Sequence, residues 1–244
     1  MTPLAGLKVV ELARILAGPW AGQILADLGA EVIKVEAPEG DDTRRWGPPF
    51  IDRPRADGTV ETVAAYFHAA NRGKTSITCD FSDADDLARL KELIASADVV
   101  VENFRSVVKD RLGLNYEQLR ARNPRIILAS ISGFGQDGPY AGRPGVDQIV
   151  QGMSGLSSVT GEPGRGPVRA GIAISDTTAG MFLGQGILLA LPIGQGELGF
   201  SQPSRLLMPP LGLKPTTQFP NPGGCHQPVQ SRTASCLAWH SWNP

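Results

Sequence analysis

The chain of 244 residues is 41% hydrophobic and carries a formal net charge of −1. This length is sufficient to bury the core of one or two domains. The nearly balanced charge gives no support for nucleic acid or an anionic membrane surface as a partner. The cysteines, Cys79, Cys225 and Cys236, are too few and too scattered to predict a disulfide framework or a zinc site.

Targeting signals are also missing from the sequence. It has no apolar run near the roughly 20 residues of a membrane helix, and its N-terminus lacks a signal-peptide pattern. We therefore expect a cytoplasmic protein with no membrane partner.

The first 36 residues predict a strand–helix–strand unit. A β-branched strand over 7–12 precedes a helix over 20–28, with Pro19 suited to its first turn and Gly29 to its C-cap, and a second strand spans 31–36. Such a unit favours a parallel sheet. The turn after the first strand has no GxGxxG motif, so a standard dinucleotide site is excluded.

The rest of this region continues the alternation of strands and helices. Strands are predicted over 76–81, 98–102 and 125–131, and helices over 66–70, from 82, up to 113 and over 116–122. We expect an open α/β sheet with ligand loops at its carboxyl edge. The segment 37–58 reads as a loop. Its Arg44, Arg45 and Trp46 form either a solvated ion-paired turn or an anion and stacking site.

Two acids begin predicted helices near the end of the patterned region. Asp176 lies between a short apolar run and a helix rich in small residues. It is either an N-cap or a single acid at the mouth of a site. Asp147 is favoured as a helix-start residue over a catalytic one.

Eight segments in order carry a resemblance to a known family. The chain resembles the family III CoA-transferases, to which the α-methylacyl-CoA racemases are related, through LAGPWAGQILADLGAEVIKVE, GDDTRRWGPPF, NRGKTSI, DVVVENF, DRLGLNYEQL, NPRIILASISGFGQDGP, SGLSSVTG and ISDTTAG. The resemblance covers most of residues 4–191. It implies a Rossmann-like open parallel sheet flanked by helices, as in the family's large domain, here incomplete and followed by an irregular C-terminal tail.

The resemblance also implies a reaction. Asp176 falls on the family's catalytic aspartate, which would attack an acyl-CoA thioester to give a mixed anhydride and then an aspartyl-CoA thioester. Coenzyme A would be a substrate, with small carboxylic acids as the other partners and neither a permanent cofactor nor a metal. The segment GDDTRRWGPPF is similar to that of succinyl-CoA:glutarate enzymes, which favours a dicarboxylate. Two alternatives stay open: an acyl-CoA racemase or epimerase, and a non-catalytic CoA-binding fragment.

The family's CoA-binding positions can be carried over to this chain. They fall on Leu16, Ala17, Cys79, Asp80, Phe81, Ser82, Asn103, Phe104, Arg105, Arg111, Gly145, Val146, Asp147 and Gln148. Arg111 would be the phosphate partner. Formyl-CoA transferase has glutamine, arginine and lysine where this chain has Leu16, Ala37 and Ser82. The racemase has a catalytic histidine where this chain has Val146, which disfavours racemisation.

The periodicity of the earlier elements ends after residue 191. We expect residues 1–191 to form the CoA-binding and catalytic region, and residues 192–244 to be an unrelated tail that is disordered or out of frame, attached to a truncated enzyme. The family forms an intertwined homodimer, and a chain truncated here would leave exposed strand edges.

Overall fold

The computed structural model describes residues 2–55, 57–192 and 196–201. The strands are β1 (Lys8–Glu11), β2 (Glu31–Glu36), β3 (Phe50–Pro54), β4 (Val60–Ala64), β5 (Thr75–Thr78), β6 (Val99–Glu102), β7 (Ile127–Ser132) and β8 (Gly196–Ser201). The α-helices are α1 (Ala17–Asp27), α2 (Ala65–Asn71), α3 (Ala84–Ala95), α4 (Ser106–Leu112), α5 (Tyr116–Arg122), α6 (Asp147–Met153) and α7 (Ile174–Ala190). Short 3-10 helices span Asp42–Arg45 and Leu156–Ser158.

Within the described residues, six strands form one parallel sheet in the order β5-β2-β1-β6-β7-β8. After β1 the chain forms β2 and β5 on one side of it. It then crosses back and places β6 on the other side of β1, followed by β7 and β8. This reversal between β1 and β6 is a topological switch point, where open parallel sheets form a crevice for ligands. The predicted Rossmann-like open sheet flanked by helices is confirmed.

Both faces of the sheet are covered, as the almost uninterrupted apolar strands require. Val9, Val99 and Ile127 point to a core shared with α1 and α7. Val10 and Val100, their neighbours in sequence, point to the opposite core, which α3 and α5 cover. The period of two along each strand thus assigns successive side chains to different helical layers.

Two local predictions were wrong. The segment 37–58 is not only a loop, because it contains a 3-10 helix and strand β3, which pairs with β4 in an antiparallel hairpin. Every residue of β3 is exposed, so this strand has no alternating apolar pattern to reveal it. Helix α7 begins at Ile174, so Asp176 is not its N-cap but lies in its first turn.

The end of the sheet extends past the predicted domain boundary at residue 191. β8 pairs in parallel register with β7 from Gly196 to Ser201. The remainder of the predicted tail, 193–195 and 202–244, lies outside the described residues. In the part of the chain that the structure describes, no helix is long and apolar enough to cross a membrane.

Helices α1 and α7 pack closely because glycine lies at their contact. A Cβ atom placed on Gly180 would lie 2.5 Å from the carbonyl oxygen of Ala17 and 3.0 Å from Cβ of Trp20. One turn further on, a Cβ at Gly184 would meet Ile24 at an ordinary 3.5 Å. The small residues of α7 therefore set the distance between the two helices at the end where Asp176 lies.

We expect Gly180→Ala to destabilise the fold by about 1–3 kcal/mol, because the added methyl group has no room against backbone atoms. Gly184→Ala is the matched control in the same helix, and we expect it to be neutral or to stabilise by up to about 1 kcal/mol through helix propensity. Urea denaturation of the two variants measures the difference. Equal unfolding free energies would contradict the close contact.

Candidate functional site

A cleft of about 1150 Å³ opens at the carboxyl edge of the sheet. Its walls come from the segments that follow β1, β2, β6 and β7, and from the first turns of α6 and α7. Parallel strands direct all these segments to the same edge, so residues distant in sequence meet there. The cleft lies across the switch point between β1 and β6.

Asp176 lines this cleft from the first turn of α7 and is only 8% exposed. The positive end of a helix dipole favours the ionised form of an acid at this position. Asp147 performs the capping that the sequence suggested for Asp176. Its Oδ1 atom accepts hydrogen bonds from the backbone N–H of Ser175 at 2.8 Å and of Asp176 at 3.4 Å.

Aromatic side chains form the wall near Asp176. The rings of Trp46 and Tyr66 both line the cleft and meet edge to face at 5.8 Å. Burial raises the pKa of Tyr66 above its ordinary value, and the negative charges of Asp176, Asp147 and Asp41 add to this effect. The Tyr66 hydroxyl therefore keeps its proton and is a hydrogen-bond donor on this side of the cleft.

The two loops at the switch point are joined by reciprocal hydrogen bonds. The side chain of Asn103 accepts from the backbone N–H of Arg14 at 3.2 Å and donates to its carbonyl oxygen at 2.8 Å. The adjacent Ile15 has a φ of 73°, a strained value for a β-branched residue, and its N–H donates to Asp41 at 3.2 Å. This strained turn, held from both sides, forms a wall of the cleft.

A buried ionic network lies beneath this turn. Lys34, only 1% exposed, contacts Glu11 at 3.3 Å and Asp41 at 3.0 Å, and donates to the carbonyl oxygen of Ala13. Burial alone would lower the pKa of Lys34, but Glu11 and Asp41 outweigh it and raise that pKa. Lys74 pairs with the other oxygen of Glu11 at 2.7 Å, and burial lowers its pKa to about 8. Each buried charge of this network lies beside an opposite charge, which offsets the free-energy cost of removing it from water.

Arg44 pairs with other side chains of the protein and does not line the cleft. It forms a bidentate ion pair with Glu36, in which Nε donates to Oε2 at 2.8 Å and Nη2 donates to Oε1 at 2.7 Å. Its guanidinium carbon lies 3.9 Å from the ring centre of Phe67. Arg45 pairs with Asp42 in an exposed position. Of the three residues singled out in this segment, Trp46 alone lines the cleft.

A second buried ion pair supports the segment after β6. Glu102 accepts a hydrogen bond from the backbone N–H of Phe104 at 2.7 Å and one from Lys109 at 3.0 Å. Lys109 also reaches the side-chain oxygen of Gln136 at 3.2 Å. Burial raises the pKa of Glu102, against the effect of Lys109. These contacts fix the backbone of 103–105 at the cleft wall.

The structure brings most of the sequence-predicted site residues together. Those that line the cleft are Leu16, Ala17, Phe81, Asn103, Phe104, Arg105, Gly145, Val146, Asp147, Gln148 and Asp176. Phe81 and Phe104 meet edge to face at 5.8 Å. The predicted binding role of these residues remains a prediction.

Four predicted site residues lie outside the cleft lining: Cys79, Asp80, Ser82 and Arg111. Cys79 is buried in the core beside a small cavity of about 180 Å³. Asp80 and Ser82 bond to each other in the turn before α3, where Asp80 accepts from the Ser82 backbone and hydroxyl at 2.8 and 2.6 Å. Arg111 lies exposed on α4.

Sequence reasoning missed several residues that line the cleft: Arg14, Lys34, Tyr66, Lys109, Arg143 and Arg169. A lysine within the otherwise buried strand β2 was a usable signal for Lys34, since an interior strand rarely holds an unpaired charge. Arg143 lies 4.4 Å over the ring of Tyr140, a contact between loop residues with no periodic signature. Among the described residues, no group of three or more acids, histidines and cysteines could hold a metal ion.

An open parallel α/β sheet with a cleft at its switch point defines a Rossmann-like α/β domain. The family model of CoA-transferase family III matches residues 4–199. The chain therefore belongs to CoA-transferase family III.

Individual relatives agree with this membership. The chain is 55% identical over 190 residues to the succinate–glutarate CoA-transferase of Agrobacterium fabrum, covering 78% of this chain and 47% of that protein. It is 44% identical over 192 residues to the mouse succinyl-CoA:glutarate CoA-transferase, covering 78% of this chain and 42% of the relative. The chain thus spans about half the length of the curated relatives it matches.

A solved structure shows the same fold. The crystal structure of a CAIB/BAIF family protein from Brucella suis superposes with a TM-score of 0.77 at 53% sequence identity. The match covers 82% of this chain and 53% of that chain. The resemblance expected from the sequence is confirmed.

The ion pair between Glu36 and Arg44 predicts a specific pH dependence. Burial opposes ionisation of Glu36, but hydrogen bonds from Arg44 and Ser76 outweigh it and lower its pKa from 4.5 to about 2. The stability from this pair is present above the ordinary pKa and is lost as the pH falls from about 4.5 toward about 2.

We therefore expect Glu36→Gln to flatten the fall in unfolding free energy across this acid range. Urea denaturation at a series of pH values measures the slope. Glu162→Gln, which removes one exposed carboxylate from a surface pair, is the control. A Glu36→Gln slope identical to the unsubstituted chain would contradict the assignment.

Proposed function

We propose that this chain transfers coenzyme A from an acyl-CoA to a carboxylic acid, with Asp176 as the nucleophile. The observation that carries the proposal is the location of Asp176, which lies buried in the first turn of α7 and lines the large cleft at the switch point. Membership of CoA-transferase family III supports the reaction class.

The first half of the reaction acylates Asp176. A carboxylate oxygen of Asp176 attacks the thioester carbonyl carbon, the carbon–sulfur bond breaks, and coenzyme A leaves as a thiolate. The thiolate then attacks the aspartyl carbonyl of the mixed anhydride and releases the donor acid as a carboxylate. Asp176 is left as a CoA thioester. No proton or electron is required, because both nucleophiles and both leaving groups are anions.

The second half reverses these steps on a new acid. The acceptor carboxylate attacks the aspartyl thioester and expels the CoA thiolate. That thiolate attacks the acyl carbon of the acceptor in the resulting anhydride, which yields the new acyl-CoA and restores the Asp176 carboxylate. Coenzyme A and the acids are substrates, and the cycle uses no permanent cofactor.

The surroundings of Asp176 suit these steps. The dipole of α7 stabilises the oxyanion that develops next to its first turn. The Tyr66 hydroxyl supplies a donor on the aromatic side of the cleft. Burial of Asp176 keeps competing water from the anhydride, which would otherwise be hydrolysed. A cleft of about 1150 Å³ is large enough for an extended ligand such as an acyl-CoA.

The donor that we propose is a dicarboxylyl-CoA such as succinyl-CoA. Relatives at 55% and 44% identity are named as succinate–glutarate and succinyl-CoA:glutarate CoA-transferases. Arginine side chains at the cleft, Arg143 and Arg169 among them, can pair with the second carboxylate. A racemase is disfavoured, since this chain has Val146, which cannot act as a base, at the position where the racemases that it resembles have a catalytic histidine.

Partner and location complete the proposal. An intertwined homodimer would cover exposed apolar side chains of α7, such as Met181, Phe182 and Leu189, which are 49%, 40% and 76% exposed. A cytoplasmic location is consistent with the use of acyl-CoA substrates.

We expect Asp176→Ala to abolish the covalent intermediate. The test is intact-mass spectrometry after incubation with succinyl-CoA and then hydroxylamine, which converts an acylated Asp176 to a hydroxamate. The unsubstituted chain gains the corresponding mass and Asp176→Ala does not. Asp52→Asn, a change on the exposed hairpin, is the control that keeps the adduct. An adduct on Asp176→Ala would refute the assignment of the nucleophile.

We expect Arg105 and Arg111 to differ in their effect on CoA binding. Arg105→Ala removes a cation that lines the cleft, and a charge-assisted hydrogen bond of about 1.5 kcal/mol corresponds to about 10-fold weaker binding. Arg111→Ala leaves the lining unchanged and keeps the affinity. Isothermal titration calorimetry with CoA measures both. A loss confined to Arg111→Ala would favour the phosphate role that the resemblance assigns to that residue.

A further inference from the structure

Two buried polar side chains on α6 face each other one turn apart. Asp147 is 7% exposed and Gln151 is fully buried. The Nε2 atom of Gln151 donates a hydrogen bond to Oδ2 of Asp147 at 2.7 Å. Burying an amide and a carboxylate is costly unless each is hydrogen-bonded, so such a pair requires further partners.

The segment that leads into α7 provides the other partners of Gln151. Its Oε1 atom accepts from the backbone N–H of Ala170 at 2.8 Å, and its Nε2 atom also donates to the carbonyl oxygen of Ile172 at 3.2 Å. One carboxamide therefore bonds the chain on both sides of Gly171. This contact fixes the approach of the backbone to the first turn of α7.

Asp147 connects Gln151 to the first turn of α7. Its Oδ1 atom accepts from the N–H groups of Ser175 and Asp176, while Oδ2 is held by Gln151. Gln151 thereby sets the orientation of the carboxylate that caps α7. We call the pair Asp147 and Gln151 the α6 clasp.

We infer that Gln151 is a positioning residue for Asp176: through the α6 clasp it fixes the first turn of α7 and hence the place of the nucleophile in the cleft. This inference rests on the proposed function for its catalytic consequence. Gln151 does not line the cleft and is fully buried, so it acts through the backbone of α7 and not on substrate.

The consequence for the reaction is specific. An attacking oxygen must lie close to the thioester carbon in a fixed direction, and a displacement of about 1 Å can cost roughly 100-fold in rate. Binding of coenzyme A is spread over the whole length of the cleft, where Asp147 is only one of many lining residues, so it is much less sensitive to the α6 clasp than the attack by Asp176 is. Loss of the clasp should therefore slow acylation and leave CoA affinity nearly unchanged.

Gln151→Glu tests the inference with almost no change in shape. It keeps an acceptor for the Ala170 N–H, but it replaces the two amide N–H donors with a carboxyl oxygen. An ionised carboxylate at this position would repel Asp147, and a protonated one has a single O–H, which cannot bond both Asp147 and the Ile172 carbonyl oxygen. Gln118→Glu, an equivalent change at an exposed position on α5, is the matched control. Thermal unfolding of both variants establishes that the fold is retained. Where Gln151→Glu fails to fold, Gln151→Met replaces it, since it has similar size without the donor or the added charge.

The first measurement is hydrogen exchange by mass spectrometry, which needs no activity. We expect the amides of 174–177 to exchange roughly 10-fold faster in Gln151→Glu than in the control. Unchanged exchange there would overturn the clasp.

The second measurement compares acylation and binding. We expect the single-turnover rate of hydroxamate formation from succinyl-CoA to fall roughly 10- to 100-fold in Gln151→Glu. The dissociation constant for CoA should change by less than about 3-fold. Faster exchange with an unchanged acylation rate would overturn the positioning role. Faster exchange in a chain that forms no adduct even when unsubstituted would support the clasp and overturn the proposed function.

Discussion

The close contact between α1 and α7 is the constraint on which the site depends. Gly180 approaches the carbonyl oxygen of Ala17 more closely than any side chain would allow. Residues four apart lie on the same face of a helix, so Asp176 lies on the face of α7 that packs on α1, one turn before this contact. The same face of α7 therefore fixes both the spacing of the two helices and the location of the acid. A bulkier residue at 180 would move Asp176 as well as the core.

Charged side chains that are buried at the carboxyl edge of a parallel sheet need oppositely charged partners. Here Lys34, Lys74 and Arg44 neutralise the carboxylates of Glu11, Asp41 and Glu36 beneath the cleft. Each of these carboxylates is paired with a cation of the same chain. Asp41 also accepts a hydrogen bond from the backbone N–H of the strained Ile15. The carboxylates of this network serve the fold, which separates them from the reaction that we propose for Asp176.

The sheet could be predicted from the sequence because its signals are local. Short β-branched runs alternate with helices, and the chain order then implies a parallel arrangement. Asp176 was proposed as the nucleophile through the resemblance, since spacing alone favours an N-cap. The structure resolves that choice by showing Ala173 at the N-cap position and Asp147 as the acceptor. Asp147 lies on another helix, 28 residues before Ser175, and the periodicity of a sequence cannot predict a contact between such distant positions.

The same limit explains which residues of the cleft could be predicted from the sequence. Asn103, Phe104 and Arg105 directly follow a strand, so topology alone brings them to the cleft. Lys109 lies on a helix, and its pairing with Glu102 depends on how that helix rotates against the sheet. The cleft is therefore composed of two kinds of residue. Those at strand ends follow from chain order, whereas those that hold them in place follow from tertiary hydrogen bonds. The second kind determines whether the first can align a substrate with Asp176, the nucleophile that we propose.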